Sequence, residues 1–472
     1  MFDMKTGMCA TAAALWLVPA HAFAASDAEL DQIRAQIRSI KQEYDARIEA
    51  LEARLKAAES EAAEAKAKAA QAASTPLAQA PVAPPAPAPS ATSTTQGLAA
   101  FNPAVSAILN GQYANLSRDP SQWRMAGFLQ GGDVGPGRRG FSLGESELAF
   151  SANVDPQFSG TLILSVTPED TVSVEEGYGI LKGAPGGIVP KFGRFFSALG
   201  YLNEQHAHVW DFIDAPLAYQ AFLGGQYQQN GIQASWVAPT EQFIQLGAEA
   251  GNGDSFPGTP RNKNGAGSGV LFARTGGDVG DSHSWQAGIG YLRTGAQSRT
   301  DVAPDAFGND ATLAFSGRSR LWNASFVWKW APHGDPHYRN FKLQGEYFWR
   351  HEEGNLAFAP LAAPDSASTA DYSSRQSGGY VQAIYQFMPL WRFGVRYDRL
   401  SPGSVDFGAN AAFLATSSFH PERSTAMVDW SPSEFSRVRV QFAQAKPSPG
   451  FTDNELFVQY ILSIGAHGAH IF

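Results

Sequence analysis

Four residues within nine positions, His206, His208, Asp211 and Asp214, could hold a metal ion. Imidazole nitrogen and carboxylate oxygen are the donors that zinc and its neighbours accept. His206 and His208 carry the metal expectation. The bland alternative is a packed loop whose histidines hydrogen-bond to backbone. His467 and His470 offer a second pair, but they fall on opposite parities of a strand, so both reach one ion only across a turn.

A second chemistry is charge set on one face of alternating segments. Arg392, Arg396 and Asp398 oppose Trp391, Phe393, Val395 and Tyr397. Arg437 and Arg439 oppose Val438, Val440 and Phe442. Lys342, Glu346 and Arg350 oppose Phe341, Leu343, Tyr347 and Trp349. Lys329 stands between Trp328 and Trp330, and Glu145 and Glu147 share a parity with Ser151 and Asn153. Such alternation needs a half-buried strand. If the apolar face meets lipid, a charge turned outward at midplane costs about 2–4 kcal/mol, so these residues must line a lumen. Two uses then stand open. Unpaired, the basic residues make a transverse field that favours anions. Paired with the acids, they fill and stiffen the lumen.

Catalytic signatures are missing. The chain holds no G-x-S-x-G, H-E-x-x-H, P-loop or dinucleotide fingerprint, and no enzyme or cofactor is expected. From Phe101 onward 33 acidic residues face 26 basic ones, which is no surface for nucleic acid. The one cysteine, Cys9, lies in residues 1–24. That segment reads as a signal peptide: Lys5, the apolar stretch Met8 to Val18, then Ala22-Phe23-Ala24 as a cleavage site.

The elements that must position these side chains come in three blocks. Residues 25–73 predict a helical coiled coil. Ser26 and Glu29 make a capping box, and Leu30, Ile33, Ile37, Ile40 and Tyr44 keep 3-4 spacing. Fully helical, it would reach about 70 Å. Residues 74–100 are a Pro/Ala-rich linker of extended polyproline type. Residues 101–472 divide into about sixteen strands, beginning near Ala104, Phe141, Phe158, Val172, Ile188, Gln226, Glu241, Gly269, Ser284, Arg320, Asn340, Gln376, Leu390, Glu422, Phe435 and Asp453. Short connections alternate with long ones: Ser117 to Gly140, Ser197 to Gly225, Asn252 to Ser268, Ala296 to Gly317, Glu353 to Arg375 and Pro402 to Phe419. The chain ends on Phe472. The fold class that follows is an all-β transmembrane barrel behind an α-helical coiled coil.

Several stretches resemble a known group. They are Gly140-Phe141-Ser142-Leu143-Gly144-Glu145-Ser146-Glu147-Leu148, Lys191-Phe192-Gly193-Arg194-Phe195-Phe196, Gly200 to His208 with Asp214-Ala215-Pro216-Leu217, and the tail Ser463 to His470. With them the chain resembles the phosphate-selective porin O/P-like barrels of Gram-negative outer membranes. More narrowly, it is similar to an uncharacterised branch known as zinc-regulated outer-membrane porins or receptors. The resemblance implies a porin giving passive diffusion of small charged solutes through a constricted lumen. It implies that the loop carrying His206, His208, Asp211 and Asp214 folds inward as the constriction. It also implies an outer-membrane location, outer-membrane lipid around the barrel, a homotrimer, and Phe472 as the signal read by the barrel assembly machinery. The coiled coil would stand in the periplasm, within reach of the cell wall. Two competing expectations are a zinc-related metal-uptake barrel and a plugged barrel that tethers the envelope through its coiled coil.

Overall fold

Segments with a two-residue apolar period must bury one face, and here they do so by joining into a single closed sheet. The computed structural model describes residues 104–465 apart from 133 and 168–170. The signal peptide, the coiled coil, the linker, His467, His470 and Phe472 lie outside the described residues.

The strands are β1 (Ala104–Leu116), β2 (Gly140–Leu143), β3 (Ser146–Asn153), β4 (Phe158–Val166), β5 (Val172–Leu181), β6 (Ile188–Phe196), β7 (Gln228–Val237), β8 (Phe243–Gly251) and β9 (Ser268–Val279). Longer ones follow: β10 (His283–Pro304), β11 (Asp310–Trp330), β12 (Asn340–Pro360), β13 (Ser368–Met388), β14 (Trp391–Asp406), β15 (Glu422–Ser433), β16 (Ser436–Ser448) and β17 (Phe451–Gly465). Each pairs antiparallel with its neighbours, and β1 meets β17 from Ser106 opposite Gly465 to Leu116 opposite Glu455. β2 and β3 both pair with β1 and form one interrupted stave, so the described barrel has sixteen staves. The interruption is a bulge. Ile108 lies opposite Glu147 and Gly111 opposite Leu143, which gives the second stave one extra residue. Gly144 sits at the break, where a Cβ would stand 2.4 Å from Asn110 Nδ2.

The outward face is apolar in a defined band. Trp322, Trp349, Val381, Val395, Val440 and Tyr460 are exposed there, while their sequence neighbours Leu321, Arg350, Gln382, Arg396, Arg439 and Gln459 are buried. Aromatic rings edge the band. Tyr291 packs on Trp322 at 4.6 Å, and Trp391 stacks on Trp430 at 5.9 Å. Trp322 and Trp330 lie on one strand eight residues apart. That is about 27 Å along β11, or roughly 20 Å along the axis at a tilt of about 40°.

Two of the expected loops are largely strand, and a third is strand only at its start. β10 runs on to Pro304 and β11 starts at Asp310, inside the segment 296–317; β12, β13 and β14 extend likewise into 353–375 and 402–419. The cause is a reversal of sidedness. On β12, Tyr347 and Trp349 face outward, but further along Leu356 and Phe358 are buried while Asn355 is exposed. Above the apolar band the outer face meets water and turns polar, so the alternation that marks the lower strands fades. The inner face takes over with Ala311, Leu313, Phe315, Leu356, Phe358 and Tyr372 in one cluster.

Candidate functional site

The segment 197–227 leaves β6, packs against the inner side of the wall and returns to β7. Its centre is a short helix, α1 (Leu217–Leu223), all seven residues of which are buried. Pro216 suits the approach to a first turn, and Gly224 ends the helix in the left-handed region at φ 66°. Trp123, Met125 and Phe128 of the preceding segment 117–139 pack on α1 from one side, and Phe348, Tyr380 and Leu400 of the wall from the other. Here the loop and the wall share a hydrophobic core.

The barrel wall grips the loop at both ends of α1 and before it. Glu346 on β12 accepts from the backbone N–H of Tyr201 at 2.9 Å and of Leu202 at 3.0 Å, and from the hydroxyls of Tyr219 and Tyr380, each at 2.8 Å. Gly200 lies against this carboxylate at φ 86°, where a Cβ would stand 2.4 Å from Glu346 Oε2. Asp398 accepts from Leu217 N–H at 2.9 Å at the helix start. Arg350 donates to the Ala221 carbonyl at 3.1 Å near its end.

The basic wall on β12, β14, β15 and β16 is spent largely on this loop. Asp211 pairs with Lys342, with Arg392 at 3.2 Å, and accepts from Gln382 at 3.0 Å. Burial would push the Asp211 carboxyl up, but Lys342 and Arg392 outweigh it and hold it below the usual carboxylate range. Asp214 pairs with Arg423 and with Arg396 at 3.2 Å, and accepts from Gln441 at 2.7 Å. Arg439 donates to the Trp210 carbonyl at 2.8 Å, and Arg437 to that of His208. Asp429, Asp398 and Glu455 complete the network with Arg392, Arg396 and Arg423.

The pore-lining expectation therefore divides by depth. Glu346, Arg350, Arg396, Asp398 and Arg439 face inward, but they meet the loop and one another rather than open space, because 197–227 occupies the lumen beside them. Lys329, Lys342, Arg392 and Arg437 line a cavity of about 680 Å³ on the side where β1 begins and β17 ends. Glu147, His206, His208 and Asp211 line the same cavity. Glu145 falls in the break between β2 and β3 and is half-buried.

The structure also separates the four candidate ligands. Asp211 and Asp214 belong to the basic side. His206 and His208 turn to a group of carboxylates on β3 and β5. His206 Nδ1 is 3.3 Å from Glu147 and 3.4 Å from Glu175; its Nε2 is 3.0 Å from Glu176. His208 Nδ1 is 2.8 Å from Glu147. Burial pulls the His206 pKa down, yet the three carboxylates outweigh it and hold the value well above the ordinary one. Glu175 and Glu176 escaped the sequence reading because neighbours on a strand face opposite ways. A bulge removes that constraint. Ile163 lies opposite Glu176 and Leu164 opposite Val174, leaving Glu175 as the extra residue, and both carboxylates turn inward. Two adjacent acids in a strand otherwise facing lipid were the available signal.

No family model matches the chain. Among solved structures it is similar to OmpT, an outer membrane protein of Vibrio cholerae in its trimer form (TM-score 0.47, 10% identity, 77% of this chain and 99% of that one). It is also similar to Pseudomonas putida OprB (TM-score 0.43, 15% identity, 78% and 96%) and to an anion-selective porin from Comamonas acidovorans (TM-score 0.42, 10% identity, 77% and 99%). By sequence it is 30% identical over 405 residues to an uncharacterised protein of Aquifex aeolicus (strain VF5), covering 79% of this chain and 80% of that protein. With that identity across most of both chains, it belongs to the same family as the Aquifex aeolicus protein.

Proposed function

We propose that the chain is an outer-membrane channel of the porin type, allied to the phosphate-selective O/P-like group, and that it passes small charged solutes when its inner loop shifts. The observation that carries this reading is the pairing of a lipid-fitting outer band with a polar interior closed by an ion-paired loop. An apolar outer band edged by aromatic rings fits a bilayer. With both ends of the barrel on one rim, that rim is periplasmic, and the 680 Å³ cavity is a periplasmic vestibule. Asp211 and Asp214 hold the loop through charges, which water and salt can replace as the loop moves. A homotrimer belongs to the same proposal. The test is conductance in a planar bilayer with refolded full-length chain. Brief, low-conductance openings support the channel, and a membrane that stays silent at all voltages and salts refutes it.

A second reading has its own observation. The apolar core made by α1 with Trp123, Met125 and Phe128 packs against wall residues of β9 to β14, as part of a permanent plug would. The barrel would then anchor an envelope tether. Removing residues 26–96 separates the two: a channel keeps its current steps, whereas a tether loses its envelope role.

A further inference from the structure

We propose that Glu147, Glu175, His206 and His208 form a binding site for one divalent transition-metal cation, with Glu176 as the outer partner of His206. The arrangement begins with tautomer control. His206 Nε2 is 3.0 Å from Glu176 Oε2, so an Nε2–H donates there, and Nδ1 is the nitrogen that gives up its proton when a metal binds. A carboxylate behind a histidine in this way orients the ring and raises its basicity towards a metal. Nδ1 is buried and has no hydrogen-bond partner among the described residues.

Glu175 supplies the independent observation. Its side chain is 5% exposed, and neither carboxylate oxygen has a hydrogen-bond partner among the described residues. A buried carboxylate without a hydrogen bond is costly, and the charged neighbour it faces is the His206 imidazole at 3.4 Å. Glu175 is there because the β5 bulge turns it inward, so the backbone is built to place this charge beside His206. Two donors on a tetrahedral ion, each at about 2.0–2.1 Å, stand about 3.3–3.4 Å apart. His206 Nδ1 is 3.3 Å from Glu147 Oε2 and 3.4 Å from Glu175 Oε2. Ligand atoms of Glu147, His206 and His208 all lie within 4.8 Å of one another. The His208–Glu147 contact of 2.8 Å is a hydrogen bond as it stands and opens by about half an ångström when both atoms bind the ion.

Two imidazoles with carboxylates suit zinc and its first-row neighbours rather than calcium or magnesium, which prefer all-oxygen sets. The vestibule gives the ion a path to Glu147, His206 and His208. Once bound, it ties the loop to β3 and β5, across from the basic latch on β12 to β16. The site stands whether or not the barrel conducts. A proton on His206 Nδ1 is the competing occupant.

The experiment uses refolded full-length chain in detergent, with His467 and His470 replaced by Ala so that the tail pair cannot bind. Zinc sulfate is titrated calorimetrically into the chelator-treated protein. One zinc per chain is expected, weakened about 10–100-fold by Glu176→Gln and lost in His206→Ala. Glu175→Gln, which keeps the side-chain shape, should weaken binding at least 10-fold. Absence of stoichiometric binding overturns the proposal, as does binding that Glu175→Gln and His206→Ala leave unchanged. X-ray absorption of the zinc-loaded parent needs no ligand variant to fold. Nitrogen and oxygen donors including two imidazoles support the site, and a shell without imidazole overturns it.

Discussion

Asp398 and Arg350 hold opposite ends of one helix. The Asp398 carboxylate accepts from the N–H of Leu217, and the Arg350 guanidinium donates to the carbonyl of Ala221. Negative charge sits at the positive end of α1 and positive charge at its negative end, so the wall complements the helix dipole as well as its free backbone groups. Arg350 also lies over the Phe222 ring at 5.1 Å. Asp398→Asn should therefore loosen the loop, costing about 1–3 kcal/mol because Arg396 loses a buried ionic partner. Urea unfolding of the refolded barrel measures it; a change below about 0.5 kcal/mol would show that Asp398 does not hold the start of the helix.

Removing the latch charges should raise the current. Asp211→Asn and Asp214→Asn together strip Lys342, Arg392, Arg396 and Arg423 of their partners on the loop. Like charges left on the wall then repel, and the seated position weakens. The double variant should open more often, by about 10-fold for each 1.4 kcal/mol lost from the closed state. Single-channel recording checks it, and an open fraction equal to that of the parent rules out the latch.

The barrel was legible in the sequence because lipid imposes a rule on every strand that crosses it. Val395, Tyr397 and Arg396 could have no other sidedness. The same rule ceases to apply at Asn355 and Ser298, where the outer face is polar and the apolar residues turn inward, and there long strands read as loops. The inward loop was expected from the family resemblance alone, and pairing between the basic wall and acids was one of two open uses. Its acidic partners on the loop, Asp211 and Asp214, were not visible as such, because the contact between position 214 and position 423 is set by how the loop folds back, which no local pattern encodes. Glu175 was hidden by its bulge.

The Asp211 latch should be insensitive to pH across the neutral range. The Asp211 carboxyl is depressed in the folded protein by Lys342 and Arg392. A depressed acid contributes stability above its unfolded pKa, about 3.9, and loses it as pH falls through the lower folded value. Openings released by this latch should thus appear only below about pH 4. His206 has the opposite sign: despite burial, Glu147, Glu175 and Glu176 raise its pKa, so its contribution is whole below about pH 6.5 and is lost as pH rises through the folded value. Current followed from about pH 8 to pH 3 provides the check, and openings that increase as pH falls from about 7 to 5 would refute both assignments.

Gly200 should tolerate no side chain. Its φ of 86° belongs to the left-handed region, and a Cβ would approach Glu346 Oε2 to 2.4 Å and the Tyr219 hydroxyl to 2.8 Å. Gly200→Ala costs about 1–2 kcal/mol in backbone conformation alone, with the displaced carboxylate adding to it. Protease protection of segment 197–227 reads the effect directly, and full protection in the variant would mean that Glu346 is not what seats the loop.

Selectivity should reside in the vestibule rather than behind the loop. Lys329 and Arg437 line the 680 Å³ cavity, whereas Arg396 and Arg439 are buried and engaged with Asp214, Asp398 and Asp429. A charge acts on a passing ion over a Debye length of about 8–10 Å; the first pair lines the cavity, with Asp211 of the loop lining it too, whereas the second pair is buried. Lys329→Gln with Arg437→Gln should shift the reversal potential towards cations, with the shift shrinking as salt rises. Arg396→Gln with Arg439→Gln should leave the reversal potential in place and lower the resistance of the barrel to urea, since Asp214 and Asp429 then lose buried partners. The opposite assignment, a selectivity shift in the second pair and none in the first, would place the conducting path along the basic wall beside α1 and would require the loop to leave the lumen entirely before any ion crosses.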